Sequence, residues 1–399
     1  MSFDPSRHSP LTRTDWEPDD ARAAIAEIVA DAEASFDPET YWPSHPQEDG
    51  LTDGMAGLYF GAAGVLWAMD LLQREGAAAH RLEIPALLPR LLDRLRFQFA
   101  GFARMSSIDP ERPSLLMGDP PVLLMMIRAG DDDAADELFA RLSSGAELPV
   151  LELMWGSAGA MIACRFAADL TGEARWRGPF ETMAGRLLAE LEETADGPIW
   201  TQHLYGQVRR FLGPVHGFAG NVLGLLAGWD WLCEAQRTQI REAVDATLPA
   251  RAIRSPEGVN WPPVVEPDDE TRLVQYCHGA PGMLTALACP QLRSAATAPL
   301  FEAAGELTWR AGPLAKGSNL CHGTGGNGFA FLKLHALTGD VIWRDRARAF
   351  AMTAIDQCRA ARAEHGRGRY TLWTGDIGIA CYLHECLRGT ARFPTIDVF

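Results

Sequence analysis

The chain has 399 residues, of which 47% are hydrophobic and 22% are charged, and its formal net charge is −16. This composition is typical of a globular protein, and the acidic balance argues against proteins that bind nucleic acid or anionic membranes, because both need a basic surface. The N-terminus has no apolar run typical of a signal peptide, and no stretch reaches the roughly 18 uncharged apolar residues of a membrane helix. Eight cysteines are too few for a disulfide scaffold of this length, so we expect a protein of the reducing cytoplasm.

A short glycine motif recurs along the chain, each time ahead of an apolar segment. Its pattern is Gly-x-x-Gly, except that the second copy has Pro121 in place of the second glycine. The first glycines of the seven copies are Gly61, Gly118, Gly156, Gly217, Gly279, Gly323 and Gly375. Amphipathic stretches with helical spacing lie between the copies, for example residues 86–102 and 180–195. The repeat unit is therefore an apolar helix that starts at a glycine turn, followed by an amphipathic helix.

This repeat predicts an all-α protein with the architecture of an α/α toroid. Helices that are apolar on every side belong inside, and one-sided helices belong outside, so seven inner helices would be surrounded by seven outer ones. No segment alternates like a strand, and we expect none. Residues 1–20, rich in Pro, Asp and Ser, are predicted to form a polar arm, and residues 21–399 a single domain. Because the glycine turns all open on one mouth of the ring, the side chains just before them should converge there.

Thiol and imidazole side chains precede three of these turns. His216 stands before Gly217, and the pairs Cys277-His278 and Cys321-His322 occupy the same place in two successive repeats. Clustered sulfur and imidazole are typical ligands of zinc, and a site with three protein ligands leaves one position open for a substrate. Spacing alone leaves open which histidine is the third ligand. It also leaves open that these are ordinary buried thiols and histidines.

These motifs resemble the lanthionine synthetase cyclase (LanC) family, and within it the eukaryotic-type LanC-like proteins. The stretches that carry the resemblance are YCHGAPG, KGSNLCHGTGGNGFAFL and VHGFAG, with weaker support from ELMWGSAG, SLLMGD and LWTG. The resemblance implies an α/α toroid and a Zn²⁺ ion held by Cys277, Cys321 and His322. It leaves His278 as a neighbour of the site.

The resemblance also implies roles for further residues. His216 would be the general acid, and Glu152 would orient it, although a first-turn acid at a helix start is an ordinary alternative for Glu152. Lys316 stands five residues before Cys321, where LanC-like proteins that act on phosphorylated Ser or Thr have a lysine that takes part in phosphate elimination. Arginines would hold the phosphate. The candidates are Arg367 and Arg369 in the stretch EHGRGR, and Arg7; solvated surface charge is the alternative for each.

The function implied by this resemblance is thioether formation. A thiol, with glutathione favoured, would add to a dehydroalanine or dehydrobutyrine residue of a peptide or protein, after phosphate elimination from phosphoserine or phosphothreonine. Such an enzyme combines lyase and transferase activity. A lanthionine-forming cyclase that uses the peptide's own cysteine is one alternative, and a non-catalytic scaffold that binds zinc and glutathione is another. Toroids of the prenyltransferase or glycosidase kind are disfavoured by the repeated Cys-His-Gly motif.

Overall fold

The computed structural model describes residues 2–48, 52–105, 112–266 and 271–399. Within these ranges, fourteen α-helices and four short strands make up the regular structure. In chain order they are α1 (Pro18–Ala34), α2 (Ala62–Arg74), α3 (Ile84–Met105), α4 (Pro120–Arg128), α5 (Asp132–Gly145), α6 (Ser157–Thr171), α7 (Arg177–Ala189), β1 (Gln202–Leu204), β2 (Gln207–Arg209), α8 (Phe218–Ala227), α9 (Glu234–Arg251), β3 (Ile253–Ser255), β4 (Gly258–Asn260), α10 (Ala280–Leu287), α11 (Ala298–Ala311), α12 (Thr324–Thr338), α13 (Val341–His365) and α14 (Asp376–Arg388).

The even-numbered helices form the inner layer and the odd-numbered helices the outer layer. Every residue of α10 is buried, and so are eight of the ten residues of α8, as expected of segments that are apolar on all sides. Each inner helix packs against the next one along the chain, and α14 packs against α2, which closes the ring. Outer helices lie against this ring, with α13 on α12 and α1 on α14. The predicted α/α toroid of seven inner and seven outer helices is confirmed.

The glycine turns begin the inner helices as expected, with one exception. Six inner helices have the first glycine of a motif as their N-cap, whereas α4 has Asp119, one residue after Gly118. The second glycine is needed for a close approach of backbone to backbone. A Cβ atom would lie 1.8 Å from the Tyr276 carbonyl oxygen at Gly282, and 1.9 Å from the Leu320 oxygen at Gly326. The start of each such helix therefore folds back onto the turn that leads into it.

Backbone hydrogen bonds tie neighbouring turns together. The amide of Cys277 donates to the carbonyl of Cys321 (3.1 Å), Cys321 donates to Trp373 (2.9 Å), and Trp373 donates to Tyr59 (3.1 Å). All four residues stand two positions before the first glycine of their repeat. Equivalent positions of successive repeats therefore lie edge to edge around the mouth, which brings the two cysteines together.

Two short hairpins depart from the expectation that the chain has no strands. β1 pairs antiparallel with β2 between α7 and α8, and β3 pairs antiparallel with β4 between α9 and α10. Each strand has only three residues, so the alternation of apolar and polar side chains that predicts a strand has no room to develop. Both hairpins belong to connections that lead into the start of an inner helix, and so they lie on the side of the glycine turns.

The two ends of the chain lie against the ring. The polar arm includes the first residues of α1, which begins at Pro18. Before that helix the arm runs beside residues 312–315, where the amide of Ala315 donates to the carbonyl of Arg7 (3.0 Å). At the other end, Phe393 is fully buried and stacks on Tyr276 at 4.6 Å between ring centroids. None of the described helices combines the length and continuous apolar character that a membrane crossing requires.

Candidate metal and catalytic site

Two buried thiols lie in contact at the mouth of the ring. The side chains of Cys277 and Cys321 are hydrogen-bonded to each other, the Gln275 amide Nε2 lies 2.9 Å from Cys277 Sγ, and the Tyr59 hydroxyl bonds to Cys321. The hydrogen bond from Cys321 lowers the pKa of Cys277, whereas the same contact and burial raise the pKa of Cys321. The hydrogen bond between the two sulfurs therefore favours the form of the pair that has lost one proton. A thiolate beside a thiol is a donor arrangement suited to a soft cation.

His322, the predicted third donor, follows Cys321 directly. Burial, aided by the positive charges of Lys316 and Arg369, lowers the pKa of His322 to about 4, so its imidazole is neutral near pH 7. Neutral imidazole is the form that binds zinc. Within the described ranges, no three His, Cys, Asp or Glu side chains already converge as a metal cluster. The donor types, two thiols and a neutral imidazole, fit zinc.

The structure brings the side chains of His216 and Glu152 together. Nδ1 of His216 lies 2.7 Å from Oε2 of the fully buried Glu152 carboxylate. That carboxylate also accepts the backbone amides of Met154 (3.0 Å) and Trp155. Since the carboxylate acts as acceptor in these contacts, Nδ1 of His216 carries a proton and donates it. The opposite nitrogen, Nε2, is left to exchange a proton with a substrate.

Aromatic side chains connect His216 with the neighbouring turn. The Phe211 ring lies 5.8 Å from the His216 ring and 6.5 Å from that of His278. Tyr205, at the tip of the β1–β2 hairpin, meets His216 edge to face at 5.9 Å. Gly213 packs so closely on the next turn that a Cβ atom there would lie 2.3 Å from the carbonyl oxygen of Cys277. The general-acid candidate and the thiol pair are therefore on adjoining turns of one mouth.

A polar cavity of about 220 Å³ opens beside this mouth. We call it the cationic cavity, because Lys316, Arg367 and Arg369 contribute to its wall, together with the His45 ring. Carboxylates of Glu364 and Asp376 also line it. Lys316 and Arg369 both act electrostatically on His322, which places this cavity next to the thiol pair.

The three cations of this cavity are held differently. Arg369 is fixed by a 2.6 Å ion pair with Glu48, and both side chains are mostly buried. Among the described residues, Arg367 makes one hydrogen bond, at 3.4 Å to the carbonyl of Ser44. Lys316 is exposed, and within the described parts of the chain its ammonium group has no hydrogen-bond or ion-pair partner. Lys316 and Arg367 are therefore the cations most available to an incoming anion.

Of the other predicted residues, Arg7 is less well placed for binding phosphate. Its side chain is exposed and does not line the cationic cavity, although its carbonyl bonds to Ala315, the neighbour of Lys316. His278 lies next to Cys277 and is half-buried. Arg367 and Arg369, between which the sequence does not choose, both reach the cavity.

Several residues of the mouth escaped the sequence analysis. Tyr59 bonds to Cys321 and occupies the same place in its repeat as the two cysteines, so the repeat could have indicated it. His45, Glu48 and Tyr205 lie in connections that carry no motif. Burial and the neighbouring His365 lower the pKa of His45 to about 4, which keeps its ring neutral at the edge of the cavity.

Comparison with known proteins agrees with this architecture. A family model described as lanthionine synthetase C-like protein matches residues 104–398. LanC-like protein GCL1 of Arabidopsis thaliana is 28% identical over 289 residues, which cover 65% of this chain and 63% of that protein. Glutathione S-transferase LANCL1 of Danio rerio is 27% identical over 228 residues, which cover 54% of this chain and 52% of that protein. Each match thus spans less than two thirds of the relative's length.

Among solved structures, nisin cyclase superposes with a TM-score of 0.54 at 12% sequence identity. The superposition covers 93% of this chain and 98% of the cyclase. At this low identity, the likeness concerns the fold alone.

Proposed function

Because the chain belongs to the lanthionine synthetase C-like family, we propose that it catalyses zinc-dependent addition of a thiol to dehydroalanine or dehydrobutyrine in a peptide or protein. Glutathione is the proposed thiol, and phosphate elimination from phosphoserine or phosphothreonine is the proposed source of the dehydroamino acid. The observation that carries the proposal is the contact of Cys277 with Cys321 at the mouth that also holds His216, Glu152 and the cationic cavity. The name of the Danio rerio relative supports glutathione as the thiol.

Cys277, Cys321 and His322 would hold the zinc ion, which when bound keeps a substrate thiol deprotonated and therefore nucleophilic. The buried contacts of Tyr59 and Gln275 orient the two protein sulfurs. Such supporting hydrogen bonds tune how well a site holds its metal.

Elimination would be carried out by the cationic cavity. Lys316, in its neutral amine form, is proposed to take the α-proton. The electron pair of the Cα–H bond then forms the Cα=Cβ double bond, and the phosphate leaves with the electrons of the Cβ–O bond. Arg367 would contact the phosphate, and Arg369, whose charge is balanced by Glu48, would form part of the wall beside it. Positive groups placed where the leaving group develops charge stabilise that transition state.

Addition would then use His216, on the turn next to Cys277. As the C–S bond forms at Cβ, the electron pair of the double bond moves to Cα, which takes a proton from Nε2 of His216. Glu152, buried and bonded to Nδ1, stabilises the charged imidazolium that must supply this proton. The thiol's own proton passes to solvent. His216 takes up a proton from solvent before the next turnover.

The proposal is tested by mass spectrometry of a phosphoserine peptide incubated with the protein, zinc and glutathione. The expected product has lost phosphate and gained glutathione, and an alanine-containing peptide serves as the control. Ring formation in a cysteine-containing peptide without glutathione would instead identify a cyclase. Bound zinc with no adduct from phosphorylated or pre-dehydrated peptides would identify a scaffold and contradict the proposal.

A further inference from the structure

Tyr205 occupies a backbone conformation that its side chain disfavours. It is the first residue of the two-residue turn between β1 and β2, and its φ is +55°. Gly206, the second residue of the turn, has φ of +71°. Turns with both residues in the left-handed region favour Asn-Gly, and a bulky residue there is strained by about 1–3 kcal/mol. Asparagine at this position would adopt the same turn with less backbone strain.

Two contacts hold the Tyr205 ring against the general-acid candidate. Its hydroxyl accepts a 2.7 Å hydrogen bond from Nε1 of Trp155, whose backbone amide donates to Glu152. Its ring meets the His216 ring edge to face, at 5.9 Å and 90°. The residue nevertheless remains 48% exposed. The ring is thus fixed relative to His216 and Glu152 while part of its surface faces the open mouth.

We propose that Tyr205 is a specificity-determining residue, whose ring closes one side of the space in front of His216 and selects the face of Cα that is protonated. This inference rests on the proposed addition reaction. The exposed ring gains less from burial than a core tyrosine, so the strained turn is not explained by packing of the hairpin alone. A wall beside the proton donor accounts for both the strain and the orientation.

The chemistry makes this selection measurable. When the thiol sulfur bonds to Cβ of dehydroalanine, the π electrons move to Cα and leave a planar carbon that takes a proton from His216. That carbon becomes a stereocentre, and its configuration records the face that met the imidazole. With the ring in place, only one face can be presented to His216. Without the ring, the planar carbon can turn over or take its proton from water on either face.

The test uses the full-length protein with zinc, glutathione and a peptide that already contains dehydroalanine. The adduct is hydrolysed, and the two configurations at Cα are resolved chromatographically. We expect wild-type protein to give one configuration in excess by at least about tenfold, and Tyr205→Asn to bring the ratio close to equality. Total adduct formation by this variant should fall by less than about tenfold. Its thermal midpoint should be unchanged or higher, because asparagine suits the turn.

Tyr205→Phe is the matched variant, since it keeps the ring and removes only the hydroxyl that bonds to Trp155. It should retain the wild-type ratio of configurations. An unchanged ratio in Tyr205→Asn, an equal mixture from the wild type, or a lowered thermal midpoint of Tyr205→Asn would each overturn the role of Tyr205 while leaving the proposed function standing. A wild-type protein that forms no adduct would overturn both.

Discussion

The two mouths of the ring are built from the same repeat, yet they differ in the length of their connections and in the pairing of their charged side chains. At the mouth of the glycine turns, the connections into the inner helices are long, such as residues 35–61, 190–217 and 252–279. At the opposite mouth, the connections that leave the inner helices can be short, such as residues 129–131 and 339–340. The long connections carry His45, Glu48 and Tyr205 to the candidate site, and the short ones do little more than reverse the chain.

The two mouths also differ in whether their charged side chains are paired, and this difference is more informative than the volumes of their cavities. The far mouth has a cavity of about 500 Å³, larger than the cationic cavity at about 220 Å³. Its charged groups neutralise one another, with Lys333 bonded to Asp397 and Arg165 to Asp230, each at 2.8 Å. Lys316, the other lysine of the chain, has no such partner within the described residues. Unpaired charge beside buried thiols therefore identifies a candidate site better than the volume of a cavity does.

The largest expected difference between the two mouths is the effect of replacing one cysteine at each. Cys321→Ala should lose bound zinc and reduce thiol addition by at least about 100-fold, because it removes a sulfur donor and the partner of Cys277. Zinc content and adduct formation are measured together. Cys289→Ala, at the far-mouth cavity, is the control and should change neither. Full zinc occupancy in Cys321→Ala would contradict the assignment of the metal site.

The two lysines provide a second matched pair. Lys316→Ala should reduce phosphate elimination by at least about 100-fold, because the proposed base is lost, while addition to a preformed dehydroalanine stays within about threefold of wild type. Each step is followed separately by mass spectrometry. Lys333→Ala should leave elimination intact. If Lys316→Ala slowed both steps equally, the proposed division of labour would be wrong.

The C-terminal segment is expected to serve stability and not chemistry. Phe393 is fully buried against Tyr276, Phe329 and Trp373, so Phe393→Ala should lower the free energy of unfolding by about 3–5 kcal/mol. Phe97→Ala is the control, since Phe97 is 83% exposed and its loss should change stability by less than about 0.5 kcal/mol. Denaturant unfolding distinguishes the two. Equal effects would show that the segment is not part of the core.

The smallest expected effect concerns pH. His45 has a pKa of about 4 in the folded protein, lowered by burial from an ordinary value near 6.5. The unfolded chain gains a proton as pH falls through about 6.5, whereas folded His45 does so only near pH 4, so stability falls across this window. His45→Gln should flatten that dependence, measured as the denaturant midpoint at about pH 7 and about pH 5. His322, shifted in the same direction, accounts for part of what remains. An identical slope in the variant would contradict the role of His45.

The sequence predicted the ring because its signal is repeated and local. Apolar helices that start at glycine turns can be recognised one by one, and Cys277 and Cys321 meet because they hold equivalent places in adjacent repeats. The exceptions have physical causes. Three-residue strands are too short to show a period, and Asp119 caps α4 where the second glycine of the motif is missing.

The remainder of the mouth depends on contacts between distant parts of the chain. Glu48 meets Arg369, and Arg7 reaches Ala315, through connections without periodicity. Sequence spacing therefore could not choose between Arg367 and Arg369, and it could not separate them from Arg7. The zinc ligands and catalytic roles stay predictions, for which the experiments above provide the tests.

Packing of α14 against α2 has a consequence for how proteins of this shape can change. An open solenoid can gain or lose a unit at its end, because each unit touches only its neighbours. Here the circumference is set by seven units, and removing one would leave a gap that no adjacent helix could fill. Evolutionary changes in length are then confined to insertions on the rim, where the two hairpins already lie. A longer loop there could alter the choice of substrate without disturbing the barrel.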